Sequence, residues 1–145
     1  MADFRALWLW TRILIRVGGG TIDVDAVPAG LLAQVVVPLI LPLTVVTAWN
    51  PFGNPRSREA NRLDNQILRR QLVAACLANE FAIGQASDGS WAEPGFAVSG
   101  LEERQAMELG RQWNQLAVFF VTEPEVLVLA SDGSSRDVRT RPQRP

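Results

Sequence analysis

The stretch that decides the fold is residues 43–77, LTVVTAWNPFGNPRSREANRLDNQILRRQLVAACL. Residues 43–49 are apolar and rich in β-branched side chains, which predicts a buried strand. Residues 50–55 contain two prolines, a glycine and two asparagines, a composition that predicts a turn. Ser57 then provides an N-cap for a long helix that we expect to end near Leu77. The remaining elements are assigned outward from this strand, turn and helix.

The predicted helix has a polar face and a broad apolar face. Most of its arginines lie on the polar face, and the apolar face carries Ala60, Leu63, Ile67, Leu68, Leu72 and Ala74. Asn61 and Asn65 lie on the apolar side. Because they are four residues apart, their carboxamides point the same way, one turn above the other. We expect both side chains to turn away from water and toward the turn after the strand.

Before residue 43, one strand is clear and the rest is ambiguous. Arg12–Val17 predicts a first strand that ends at Gly18–Gly20. Residues 21–34 carry no clear pattern, with Asp25 as a candidate cap for a short helix.

After residue 77, the pattern is hairpin, helix, hairpin. Residues 80–86 and 90–98 predict a hairpin with a type I′ turn, and Pro94–Gly95 implies an edge position or a bulge. Ser99–Glu102 is typical of a capping box that starts a second helix, which we expect to end near Gln115. Residues 116–122 and 126–130 predict the last hairpin.

This order predicts an α+β fold with a mainly antiparallel sheet and two principal helices packed on one face. We divide the chain into an N-terminal extension (1–11), a single α+β domain (12–130) and a disordered tail (131–145). The tail assignment rests on its polar composition without apolar periodicity. Trp8 and Trp10 in the extension are expected to pack on the sheet or against the partner in a homodimer.

The composition excludes several kinds of site. The chain has no histidine and a single cysteine, Cys76, so we expect no metal site and no disulfide framework. All fourteen basic residues are arginine, which excludes a lysine Schiff base, and tyrosine is also absent. Proton transfer is therefore left to Glu, Asp, Cys, Ser and Thr. We expect no cofactor.

Charge and hydropathy bear on location and partners. A net charge of −1 provides no general attraction to nucleic acid or to an anionic membrane, and neither is an expected partner. Leu31–Val46 is uncharged, but it is shorter than the ~20 residues of a spanning helix and contains Pro38 and Pro42. We expect a cytoplasmic protein, in agreement with the free Cys76.

Four short motifs occur in order along the chain. They are TAWNP at Thr47–Pro51, NxxxN at Asn61 and Asn65, WxE at Trp91 and Glu93, and GRxxxQ at Gly110, Arg111 and Gln115. The set resembles a bacterial family catalogued as a domain of unknown function, DUF3293, over about residues 12–130. The resemblance implies a cytoplasmic α+β domain, and it brings no established activity.

The polar residues of the chain suggest one ligand-binding patch. Its candidates are Asn50, Asn61, Asn65, Trp91, Glu93, Arg111 and Gln115. Amides and a guanidinium suit a small polar ligand, a carboxylate or a peptide backbone, and a tryptophan supplies an apolar wall. The alternative is structural. In that interpretation Asn61 and Asn65 bond the backbone of the Asn50 turn, Glu93 pairs with Arg111, and the tryptophans are core.

Three functions follow from these residues. The first is a small bacterial protein that acts as a non-catalytic binding or interaction module, with a small polar ligand or a protein as its partner. The alternative is a small enzyme in which Glu93 is the general base and Arg111 stabilises an anion. The composition favours the module over the enzyme without deciding between them. The third is a cytosolic domain that regulates a larger protein or nucleic-acid assembly.

Overall fold

The computed structural model describes residues 8–141, which form a curled eight-stranded sheet with three helices. The strands are β1 (Arg12–Val17), β2 (Gly20–Asp23), β3 (Leu43–Val46), β4 (Asn79–Gln85), β5 (Ala92–Ser99), β6 (Ala117–Val121), β7 (Glu125–Ala130) and β8 (Arg136–Thr140). The helices are α1 (Leu32–Val35), α2 (Arg58–Ala74) and α3 (Glu103–Gln112). The strands pair antiparallel in the order β2–β1–β4–β5–β3–β6–β7–β8. The predicted α+β class is confirmed.

The curl of the sheet creates two separate cores. Strands β4 and β6 are separated by two other strands, yet the Cβ position of Gly84 lies only 3.6 Å from Phe119 Cε2. The concave side, called the inner face, carries one core that includes Ile13, Ile15, Leu43, Val45, Ala82, Ala97, Phe119 and Val128. The opposite side, called the helix face, carries the other: Val46, Phe96, Val98, Val118, Phe120, Leu127 and Leu129 with side chains of α2 and α3.

Helix α2 packs with a narrower stripe than its sequence suggests. Its buried residues are Asn61, Asn65, Leu68 and Leu72, at the i, i+4, i+7, i+11 spacing of one helix face. The expectation that Leu63 and Ile67 also face the core is wrong, because 53% and 49% of their surfaces are exposed.

Helix α3 closes the helix face over β6. A Cβ atom at Gly110 would stand 2.5 Å from Ser131 Oγ and 2.9 Å from Val118 Cγ1, so only glycine permits this approach. Both principal helices therefore pack on one face of the sheet, as predicted.

Two local predictions are corrected. The β4–β5 loop is closed by the bond from Ala86 N to Trp91 O and has only one residue with positive φ, Gly89. A type I′ turn needs two such residues, so the turn is of another type. The capping box lies three residues later than predicted, because Glu102 and Gln105 form it, while Ser99 Oγ accepts from Ile40 N.

The inner face is covered by the apolar segment 24–42. Val24, Leu32, Val36 and Leu39 are buried there against the strands. Glu123 holds the segment by accepting hydrogen bonds from the backbone N–H groups around the start of α1, at 2.7–3.2 Å. Within residues 8–141, no helix combines the length and apolar composition of a membrane span.

The ends of the chain differ from the prediction. Of the expected disordered tail, residues 136–140 form β8 on the edge of the sheet, so that prediction is wrong for residues up to 141; residues 142–145 lie outside the described part. At the N-terminus, residues 1–7 are also outside it, whereas Trp8 packs against the inner core, 6.0 Å from the Phe119 ring centroid. The homodimer stays a prediction.

Two arginines explain why the C-terminal segment is ordered. Arg139 and Arg141 are both buried. The Arg141 guanidinium donates to the carbonyl oxygens of Val24, Val27 and Glu123. It thereby joins the end of the chain to the segment that covers the inner face. In the sequence, arginines in a polar stretch suggest a solvated tail. Only the tertiary structure brings the carbonyl oxygens of Val24, Val27 and Glu123 within hydrogen-bonding distance of Arg141.

We predict that Arg141→Leu destabilises the protein by about 3 kcal/mol, because several buried carbonyls lose their donor. Chemical denaturation of the wild-type and variant proteins measures the change in the free energy of unfolding. Arg104→Leu, on the exposed surface of α3, is the control and should stay within about 0.5 kcal/mol of the wild type. Equal stabilities for the Arg141 and Arg104 variants would contradict the role given to Arg141.

Candidate functional site

The turn after β3 is built around two buried amides. Asn65 Oδ1 accepts from Ala48 N at 2.9 Å, and its Nδ2 donates to Pro94 O at 2.9 Å. Asn61 Oδ1 accepts from Asn50 N at 2.8 Å, and its Nδ2 donates to Asn50 Oδ1 at 2.8 Å. The predicted inward orientation of the pair is confirmed, and their bonds to the turn match the structural interpretation.

Arg56 completes this turn and was not singled out from the sequence. Its Nε donates to Asn61 Oδ1 at 2.6 Å, and its Nη2 contacts Ala48 O at 3.0 Å and Asp64 Oδ2 at 2.8 Å. Asn50 adopts a left-handed conformation, with φ 47° and ψ 68°, which asparagine tolerates better than most residues. The amide groups of Asn61 and Asn65 therefore already have partners inside the protein.

The second region is a pocket on the inner face, at the end of the β4–β5 hairpin. Glu93 lies directly opposite Gly84 in the strand register, so both residues face the inner side. The pocket, called the Glu93 pocket, is lined by Trp8, Val45, Val46, Thr47, Gly84, Trp91, Glu93, Gly95, Gln115, Ala117 and Phe119. About 30 Å³ of it is wide enough for water, which is room for about two water molecules.

Two glycines leave the space for this pocket. A side chain at Gly84 would project toward Thr11 and Phe119. At Gly95, a Cβ atom would overlap Val46 O and stand 3.0 Å from Thr47 Cβ. Only glycine therefore allows the β5 backbone to lie this close to residues 46 and 47. The alternation of side chains along β5 is enough to place Glu93 and Gly95 on one face of the sheet. It does not show that this face is concave.

Glu93 is a partly buried carboxyl in apolar surroundings. Among the described residues it has no ion-pair partner. Desolvation raises the pKa of Glu93 from 4.5 to about 7, because burial penalises the charged carboxylate. Trp91, on the same pocket wall, has a buried Nε1–H that finds no acceptor within residues 8–141. A neutral carboxyl and an indole N–H are thus both available at this pocket.

Gln115 and Thr47 join the pocket to the turn. Gln115 is buried and its Nε2 donates to Trp49 O and Trp113 O, both at 3.2 Å. Thr47 Oγ1 donates to Pro94 O at 2.5 Å and accepts from Trp49 N at 2.9 Å. The wall of the pocket is therefore held by the same turn that the amides support.

Arg111 lies apart from Glu93. It is exposed near the end of α3, on the helix face, and its Nη1 donates to Ser131 O at 2.5 Å. Glu93 faces the other side of the sheet. The predicted ion pair between these two residues is not formed among the described residues, and the pairing of a base with an anion stabiliser stays a prediction.

The structure divides the seven predicted residues into three groups. Trp91, Glu93 and Gln115 line one pocket. The second group supports the turn and consists of Asn50, Asn61 and Asn65. Arg111 belongs to neither. Ligand binding by any of them stays a prediction, and the single patch is replaced by a pocket beside a structural turn.

We predict that Asn65→Leu destabilises the protein by about 1–3 kcal/mol, because it leaves the buried Ala48 N–H without an acceptor and removes one of the two donors to Pro94 O. Gln66→Leu, on the exposed side of α2, is the matched control and should cost less than about 0.5 kcal/mol. Guanidinium chloride denaturation monitored by tryptophan fluorescence gives both values. A variant at residue 65 as stable as the control would contradict the structural role of this amide.

We predict a pH-dependent gain of stability in Glu93→Gln. The folded-state pKa of about 7 exceeds the ordinary 4.5, so wild-type stability falls as pH rises from about 4.5 to about 7. The glutamine variant does not titrate, and its advantage over the wild type should grow through this window to about 3 kcal/mol and then level off. Denaturation at pH 5, 6, 7 and 8 measures it. The exposed Glu108→Gln is the control, and an advantage that does not vary with pH would refute the assignment.

Comparison with known proteins bears on the family. A family model described as "Protein of unknown function (DUF3293)" matches residues 46–118. This range runs from the end of β3 into β6 and contains all four sequence motifs and Glu93. No curated protein and no solved structure matches the chain. Since the match covers half of the chain, the protein belongs to the DUF3293 family.

Proposed function

We propose that the protein is a binding module of the bacterial cytoplasm that takes the polar end group of a small ligand into the Glu93 pocket. One observation carries the proposal: within residues 8–141, a partly buried carboxyl without a counter-charge lies in a pocket whose wall also holds a buried indole N–H without an acceptor. Groups of this kind are costly to bury unless something bonds to them. A ligand would complete their hydrogen bonds.

The chemistry of the pocket indicates the kind of end group. At about pH 6 and below, the Glu93 carboxyl is largely protonated and can donate, as Trp91 Nε1 can. Two donors suit a carbonyl oxygen. The rings of Trp8, Trp91 and Phe119 supply apolar walls. Because there is room for only about two water molecules, a carboxamide, urea or carboxylic acid group would enter while the rest of the ligand stays outside.

A second candidate function is catalysis by Glu93. A carboxyl with a pKa of about 7 suits general acid–base catalysis at neutral pH. However, Arg111 lies on the other face, and no other carboxylate or thiol is among the residues that line the pocket. We therefore place binding first. An enzyme would show Glu93→Gln retaining substrate affinity while losing turnover.

We predict that small amides, ureas and carboxylic acids raise the Tm of the wild type and that Glu93→Leu abolishes these shifts. A thermal-shift series with acetamide, N-methylurea and acetic acid at pH 6 provides the measurement. Trp91→Phe keeps the ring but removes the N–H, so affinity should fall about fivefold, the worth of one hydrogen bond. Glu108→Leu, on the surface of α3, is the control and should bind as the wild type does.

The pH dependence gives a second readout of the same site. If the neutral carboxyl donates to the ligand, affinity should fall about tenfold between pH 6 and pH 8, as Glu93 loses its proton. Equal shifts in the wild type and Glu93→Leu would overturn the proposal, as would the absence of any shift in the wild type.

A further inference from the structure

A groove on the helix face differs from the Glu93 pocket in being open and lined by arginines. The principal helices pack over strands β3, β5, β6 and β7, so the helix-face side of β4 is left open beside α2. The opening is about 360 Å³, more than ten times the room in the Glu93 pocket. Arg58, Arg62 and Arg69 line it along α2, and Trp49 and Phe81 line it on the other sides. It is called the α2 groove.

The arginines of this groove lack the ion pairs that some other arginines of residues 8–141 form. Five arginines of that range pair with carboxylates: Arg12 with Asp23, Arg56 with Asp64, Arg136 with Glu103, Arg139 with Asp25 and Arg141 with Glu123. Arg58, Arg62 and Arg69 form no such ion pair in the described residues, and all three are exposed. Arg16 adds a fourth cation, with its Cζ 5.5 Å from the Phe81 ring centroid. The net charge of −1 thus conceals a local concentration of positive charge.

Two exposed aliphatic side chains lie near the groove. Leu63 lines a neighbouring depression with Arg58 and Arg62, and 53% of its surface is exposed. Val73, near the end of α2, lies beside Arg69 and is 61% exposed. Arginine and aromatic side chains are enriched in protein interfaces, and the groove itself is lined by both types.

The charges and ring faces distinguish between possible occupants. A symmetric pair of chains would place the same arginines opposite each other, which costs free energy. A single-stranded nucleic acid needs open ring faces for its bases. Here Phe96 is only 6% exposed and Arg16 lies against one face of Phe81, so Trp49 and the rest of Phe81 are the open rings of the groove, fewer than a row of stacked bases would use. The aliphatic side chains near the groove offer nothing to phosphates, but they suit apolar side chains of a polypeptide.

We infer that the α2 groove is a docking site for an acidic segment of a partner protein that also carries apolar residues. Aspartate and glutamate side chains of the segment would meet Arg58, Arg62 and Arg69. Its apolar residues would cover Leu63 and Val73. This site lies on the opposite side of the sheet from Glu93 and does not depend on the ligand of that pocket.

The test uses fluorescence anisotropy with three labelled probes. The first is a 16-residue peptide of glutamate and aspartate interspersed with leucine and phenylalanine. The second has the same apolar positions with lysine in place of each acidic residue, and the third is a 15-nucleotide oligo(dT). We expect the acidic peptide to bind most tightly, with an affinity that falls as salt rises.

Variants locate the binding. The double variant Arg62→Glu/Arg69→Glu should weaken binding of the acidic peptide about tenfold or more. Arg104→Glu is the control, because this arginine of α3 is exposed and forms no ion pair within residues 8–141; it should leave the affinity unchanged, as should Glu93→Leu. Leu63→Ser/Val73→Ser should weaken the binding of the acidic peptide. Thermal melts of each variant confirm that it is folded.

Several outcomes would overturn the inference. One is an acidic peptide that binds no better than the lysine peptide, and another is an affinity that the double variant does not change. Tighter binding of oligo(dT), lost in the same double variant, would assign the groove to nucleic acid instead.

Discussion

The turn after β3 holds peptide groups that no neighbouring strand can reach, because the pairing of β3 ends at Val46. Asn61 and Asn65 bond to them from α2. A buried peptide group without a partner costs about 1–3 kcal/mol, so the two amides remove a substantial penalty. Because they stand on a helix and bond to the chain between β3 and α2 and to β5, they also fix how α2 lies on the sheet. The positions of both proposed sites depend on this arrangement.

The two sites lie on opposite faces of the same hairpin. Pro94 O accepts from Thr47 and Asn65 beyond the end of the β3 pairing, and its neighbour Glu93 points to the inner face. On one side there is a small pocket with a carboxyl whose pKa is raised to about 7 by burial. On the other there is an open groove whose arginines form no ion pair within residues 8–141. A small polar end group and an acidic polypeptide can therefore bind without competing for space.

The inner face shows how the chain completes a curled sheet without a third long helix. The segment 24–42 supplies apolar side chains but little regular structure, so its peptide groups need partners from elsewhere. Glu123 accepts from its N–H groups and Arg141 donates to its carbonyls. The last strand therefore belongs to the closure of the inner core, although its composition is that of a solvated tail.

Local patterns were sufficient for the α+β class, the central antiparallel strands, both long helices and the inward amide pair, because each depends on contacts within a few residues or on a single periodicity. They also brought Trp91, Glu93 and Gln115 forward as candidates. The separation of Arg111 from Glu93, the exposure of Leu63 and Ile67, and the burial of Arg141 were decided by the tertiary structure alone. Each depends on which face of a curled sheet a residue meets, and the curl arises from the packing of distant strands.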